Sequence, residues 1–107
     1  MQNRITEILN IQYPIVQGAM SWVTNAEFVA VVSNAGGLGI LGPHGSYTTN
    51  PSSMDEIIER MRNEIRKIKT LTDKPFAAPI VVSHDLSRID DVIDMLIAEG
   101  VPVALVN

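Results

Sequence analysis

The sequence predicts a parallel α/β fold. Short segments that are apolar almost throughout alternate with segments of helical period. The connections between them carry glycine, proline and helix-capping residues. The clearest unit spans residues 13–22 and 33–42: an apolar strand enters a glycine turn, a helix follows, and a double glycine opens a second apolar strand. This is a βαβ unit whose open turn lies at the C-terminal end of its first strand, where parallel α/β proteins bind ligands.

Residues 4–10 read as a short amphipathic turn covering one end of the fold. The first strand is 15–17. The first helix starts at Thr24, because Thr24 and Glu27 have capping-box spacing. Phe28, Val29, Val31 and Val32 supply its buried face, and Gly36 and Gly37 end it. The second strand is 38–41. Residues 42–51 form a polar loop with His44, Tyr47 and several hydroxyls, long enough for a lid or binding loop. Ser53 and Glu56 form another capping box. Ile57, Ile58, Met61, Ile65 and Ile68 follow at helical spacing, opposite a charged, solvated face. The third strand is 76–82, and the third helix covers about 86–98 with Ile89, Val92, Ile93, Leu96 and Ile97 inward. Gly100 stops that helix and 101–106 is the fourth strand; Pro102 near its start removes only one early donor.

The order is thus βαβαβαβ. An open four-stranded sheet would leave two unpaired edges, which natural folds avoid. The simplest reading is parallel βα repeats forming the N-terminal half of a TIM (β/α)8 barrel, a fold of about 250 residues. Residues 1–107 would be the N-terminal portion of one such domain, with about four strands and three helices.

Composition narrows the function. A chain of 107 residues, 46% hydrophobic and 19% charged, is one domain at most and can pack a core. A net charge of −4 disfavours nucleic acid as a partner. The absence of cysteine excludes disulfides and thiolate metal sites and suits a reducing cytoplasm. The start lacks a signal-peptide core, and no apolar run approaches the roughly 20 residues that cross a bilayer.

The best candidate site is Gln17 followed by Gly18, Ala19, Met20 and Ser21. Small residues there let a flat aromatic ligand approach the backbone, and Met20 and Trp22 offer soft apolar packing. The Gly36–Gly39 stretch lacks the dinucleotide pattern and enters a strand, so it reads as a helix cap. His44 and His84 fall in loops after strands, where either could act as a base or donor, although a loop histidine without a role is commoner. A metal site built from His44, His84, Asp85 and a downstream Asp has no recognisable spacing, and none is assigned. Asp90, Asp91 and Asp94 suit the start of a helix dipole. Ser33 lies in a helix and not on a nucleophile elbow, so it is not assigned as a nucleophile.

Several of these segments together resemble one family. They are residues 4–7, 13–18, Met20, Trp22 and Val23, the 33–39 block, and 71–76. The chain resembles the FMN-dependent nitronate monooxygenases (2-nitropropane dioxygenases), a family that includes the flavin enoyl-ACP reductases. The resemblance implies a TIM barrel with FMN at the strand C-termini. It also implies backbone contacts to the flavin from the turn after the first strand, here Ala19, Met20 and Ser21, beside Gly18 of the same cofactor-binding turn. The family usually places Asn in its third strand, where this chain has Pro79, and Val81 occupies a position that is polar in some members. The family's histidine base and glycine-rich phosphate-binding segments lie beyond residue 107. The implied activity is oxidation of a nitroalkane or nitronate by oxygen, with enoyl-ACP reduction by NAD(P)H as the alternative. A non-catalytic half-barrel that binds a partner or itself is the reading from another class. A small-molecule substrate, a homo-oligomer and a cytoplasmic location are expected.

Overall fold

In the computed structural model, residues 2–82 and 86–107 are described. The elements in order are α1 (Arg4–Leu9), α2 (Ala26–Asn34), β1 (Gly39–Ile40), a 3-10 turn (Pro43–Ser46), α3 (Met54–Leu71), β2 (Phe76–Ile80), α4 (Ile89–Ala98) and β3 (Val103–Val106). The strands form a parallel sheet in the order β1-β2-β3. Helices intervene between consecutive strands, so the predicted parallel βα repeat is present.

The first strand departs from expectation. Residues 15–17 contribute only one bridge, Val16 to Leu38. On one side of that bridge Ile15 N turns back to Tyr13 O at 2.8 Å instead of continuing the ladder. On the other side the chain leaves the sheet and the Gln17 side chain replaces its backbone: the amide oxygen accepts from Ile40 N at 2.9 Å, and the amide nitrogen donates to Ile40 O at 3.2 Å. The second strand is shortened as well. Ala77 accepts from Leu41 N at 2.9 Å, so the next β2 donor facing β1 would be residue 79. Proline has none, and the β1–β2 ladder ends at Ile40↔Ala77.

The register assigns faces, since parallel partners point the same way. Leu38, Ile40 and Ala77 lie in one cluster with Ile11, flanked by Leu9, Ala19, Val103 and Leu105. Phe76, Ala78 and Ile80 lie in the other, against Ala26 and Val29 of α2, Ile58, Met61, Ile65 and Ile68 of α3, and Val92, Met95 and Leu96 of α4. Val16, Ile40, Ile80 and Val103 therefore do not share one inner face. Ile80 belongs to the helix layer, because it is an odd number of residues from Ala77.

α3 forms as predicted. Its apolar stripe faces the sheet, and each fully buried isoleucine contributes about 1.5–3 kcal/mol by removing apolar area from water. Ser53 caps it, accepting from Glu56 N at 3.2 Å, but the Glu56 carboxylate reaches back to Ser52 N and Oγ and not to Ser53. α2 is capped by Asn25, whose side chain accepts from Phe28 N at 3.0 Å. The Thr24–Glu27 box does not form, because the Thr24 hydroxyl is engaged with Met20. The buried face of α2 is Ala26, Val29, Ala30 and Ser33, while Phe28 and Val31 are exposed. Gly36 follows the C-cap at φ +106°, a conformation costly to other residues, as the double glycine predicted. In α4 the inward set includes Met95, while Ile97 faces solvent. Asp91 pairs with Arg88, whose Nη2 also lies 2.7 Å from Asp55 on α3, so the acidic start of α4 ties two helices together. His84 and Asp85 lie outside the described residues. No described helix is long and apolar enough to cross a membrane.

Candidate functional site

The C-terminal ends of the strands carry three segments that converge: the turn after Gln17, the start of the 42–51 loop, and the end of β1. The turn is held from behind. Met20 N donates to Thr24 Oγ1 at 3.1 Å, and Met20 O accepts from Val23 N at 3.2 Å, Thr24 N at 3.1 Å and Thr24 Oγ1 at 3.1 Å. Thr24 is fully buried. Its carbonyl accepts from Gly42 N at 2.9 Å and from Ser46 Oγ at 3.0 Å, and the same hydroxyl lies 3.2 Å from Met20 O. The crossing is so close that a Cβ on Gly42 would fall 2.0 Å from Ser46 Oγ and 2.5 Å from Met20 O. Only glycine fits there.

The front of the turn is open. A Cβ on Gly18 would meet nothing within 4 Å. Among the described residues, the N–H groups of Gly18, Ala19 and Ser21 have no hydrogen-bond partner. Ala19 is half-buried against the Leu38–Ile40–Ala77 cluster, so it anchors the turn to the sheet. Met20 and Trp22 project into solvent, and Trp22 holds φ at +66°. Gly18, Ala19, Met20 and Ser21 thus lie together at the strand ends, with the N–H groups of 18, 19 and 21 unpaired and that of Met20 given to Thr24. This donor set and the clear space before Gly18 fit a planar, polar-edged ring such as a flavin.

The 42–51 loop is not a free lid. His44, Gly45 and Ser46 all have positive φ, at +56°, +68° and +59°. Such a run persists only when its surroundings dictate it. Here Arg60 of α3 does so. It is 8% exposed, donates to Thr49 O and Thr49 Oγ1 (3.0 Å), pairs with Glu56 at 2.9 Å and lies 4.9 Å from the centre of the Tyr47 ring. The charged face of α3 is therefore not solvated throughout: Arg60 is buried, and partial burial raises the Glu64 carboxyl above its usual pKa. His44 borders a cavity of about 110 Å³ with Met54, Ile57, Met61, Pro79, Val81 and Val92. Burial, with the Arg60 charge nearby, holds its imidazole pKa below the usual value. Ser33 lies in α2, as expected, and its hydroxyl accepts from Gly39 N at 3.2 Å. Gln17, Thr24, Gly42 and Ser46, which build the site, were not identified as a group from sequence. Side chain-to-backbone bonds across 4 to 26 residues, and the Gly42 N to Thr24 O bond, join these segments.

Comparison with known proteins places the fold in a family. Residues 2–101 match the nitronate monooxygenase family. A probable nitronate monooxygenase of Staphylococcus haemolyticus is 45% identical over 83 residues, which cover 77% of this chain and 20% of that protein. A (3aS,4S,5R,7aS)-5-hydroxy-7a-methyl-1-oxo-octahydro-1H-indene-4-carboxyl-CoA dehydrogenase of Mycobacterium tuberculosis is 35% identical over 104 residues, 97% of this chain and 26% of that protein. The structure of FabK from Thermotoga maritima superposes with a TM-score of 0.79 at 33% identity, covering 99% of this chain and 30% of that one. The chain spans about a quarter or less of these curated relatives, and its fold is the N-terminal part of a TIM barrel. Matched over nearly its whole length, the chain belongs to the nitronate monooxygenase family.

Proposed function

We propose that this chain is the cofactor-facing N-terminal part of an FMN-dependent oxidoreductase that oxidises nitronates or nitroalkanes with oxygen. The observation that carries the reading is the turn after Gln17, with unpaired N–H groups at 18, 19 and 21 facing the strand ends. Gly18 and Ala19 would let the ring approach, and Ser21 would donate to its polar edge. Met20 and Trp22 would pack beside it and exclude water. The flavin, when bound, supplies the electron transfer. A second reading, a flavin-dependent enoyl-ACP reductase using NAD(P)H, is favoured by the 33% identity to FabK.

The test uses the full-length protein bearing this chain. It should purify with FMN and consume oxygen with a nitronate; NADH oxidation driven by an enoyl thioester would instead select the second reading. Gly18→Leu has room for its side chain and should keep the fold, yet lose most of its flavin. Full flavin occupancy in that variant overturns the placement.

A further inference from the structure

The Met20 carbonyl is the most heavily used acceptor in the site, and one of its donors comes from a distant segment. Ser46 Oγ reaches it at 3.2 Å across 26 residues and shares its single proton with Thr24 O at 3.0 Å. A peptide unit is planar and trans, so its C=O and the following N–H point in opposite directions. Holding Met20 O inward therefore turns Ser21 N–H outward. Bonds onto a carbonyl also polarise its peptide, which makes the attached N–H a stronger donor. The 42–51 loop accepts strain to bring Ser46 there, since Ser46 holds φ at +59° and is 6% exposed. Arg60 clamps the loop at Thr49.

We infer that Ser46 is a positioning residue: its hydroxyl aims and polarises the Ser21 N–H toward the cofactor. The inference rests on the flavin reading of the turn. A donor at the ring edge favours the reduced, more electron-rich flavin over the oxidised one. Loss of the hydroxyl should then weaken the hold on reduced FMN about fivefold more than on oxidised FMN. For a two-electron couple this is a fall of about 20 mV in midpoint potential.

Two variants separate this role from simple support of the loop. Ser46→Ala removes the hydroxyl and keeps the strained φ; Ser46→Gly removes the hydroxyl and relieves the strain. In the FMN-loaded full-length protein, both should lower the potential by a similar amount while their melting temperatures diverge. Potentials that stay at the wild-type value, or that follow the melting temperatures, overturn the inference. A wild-type protein that takes up no FMN overturns the functional reading itself, and with it this one.

Discussion

Gln17 does at residue scale what a strand would do at element scale. Its amide supplies one donor and one acceptor to Ile40, as a backbone rung would, and so lets the backbone of 18–21 turn away with the N–H groups of 18, 19 and 21 free. The glycine turn was legible from Gly18 and Ala19, because small residues after a strand have a local signature. The bonds that hold it were not. Thr24 carries a good capping pattern and is used otherwise, and Ser46 sits in what reads as plain loop, because contacts between distant segments leave no period in the sequence. His44 offers a test at this scale. Its folded pKa lies below 6.5, so the unfolded chain takes up the proton first as pH falls. The stability associated with neutral His44 is complete above 6.5 and is lost as pH drops toward the lower folded value. His44→Asn tolerates positive φ and does not titrate there. Urea unfolding of the wild type should weaken between about pH 7 and pH 5, and the variant should show a flatter profile across that range. Parallel profiles would show that His44 does not titrate in this window.

At element scale, α3 is both the best-predicted helix and the anchor of the least predictable loop. Its stripe of Ile58, Met61, Ile65 and Ile68 follows from period alone, and the sheet covers all of it. The sequence places Arg60 among the helix's other charges, on a side that reads as solvated. The structure buries it, because the carbonyls of Thr49 and Asn50 need a donor and Tyr47 offers a ring face. Replacing it by Met keeps the aliphatic packing and removes those bonds, at a cost of about 1–3 kcal/mol. Amide exchange should rise across 43–50 and not in the core of α3; unchanged exchange there would mean the loop does not depend on the clamp. Glu56 completes the clamp. Its bonds to Ser52, then the Arg60 pairing, lower its pKa from 4.5 to about 2. The folded state thus prefers the carboxylate. That preference is fully present above 4.5 and fades as pH falls toward 2. The stability gap between wild type and Glu56→Gln should therefore be wide at neutral pH and narrow by about pH 3. A gap independent of pH would assign the effect to packing instead of charge.

The βα order and the helix layer were readable for the molecule as a whole. The strand lengths were not, because Ile15 N turns back to Tyr13 O, Pro79 withdraws a donor and Gln17 substitutes for a rung. The radius of gyration, 13.3 Å, is close to the roughly 13 Å of a compact domain of this size, so the helix layer and sheet collapse together well. What the described residues leave uncovered is on the other side and at the edges. Ile15 is 62% exposed, Val16 48% and Val106 63%, while Val103 and Leu105 are only partly buried beside the Leu38–Ile40–Ala77 cluster. β3 has no partner on its outer side among the described residues. Paired edges and covered apolar surface are favourable, so residues 1–107 as an isolated polypeptide should self-associate through this side. The same polypeptide should bind FMN weakly or not at all and show no turnover. In the proposed placement the turn at 18–21 would meet only the ring, whereas tight hold on such a cofactor leans on N–H groups around its phosphate, which the family resemblance puts outside this stretch. Sedimentation velocity over a range of concentrations, with FMN fluorescence quenching on the same samples, measures both. A monomer at all concentrations would show that the exposed sheet face is tolerated in water, and micromolar FMN binding would show that the turn alone suffices to hold the cofactor.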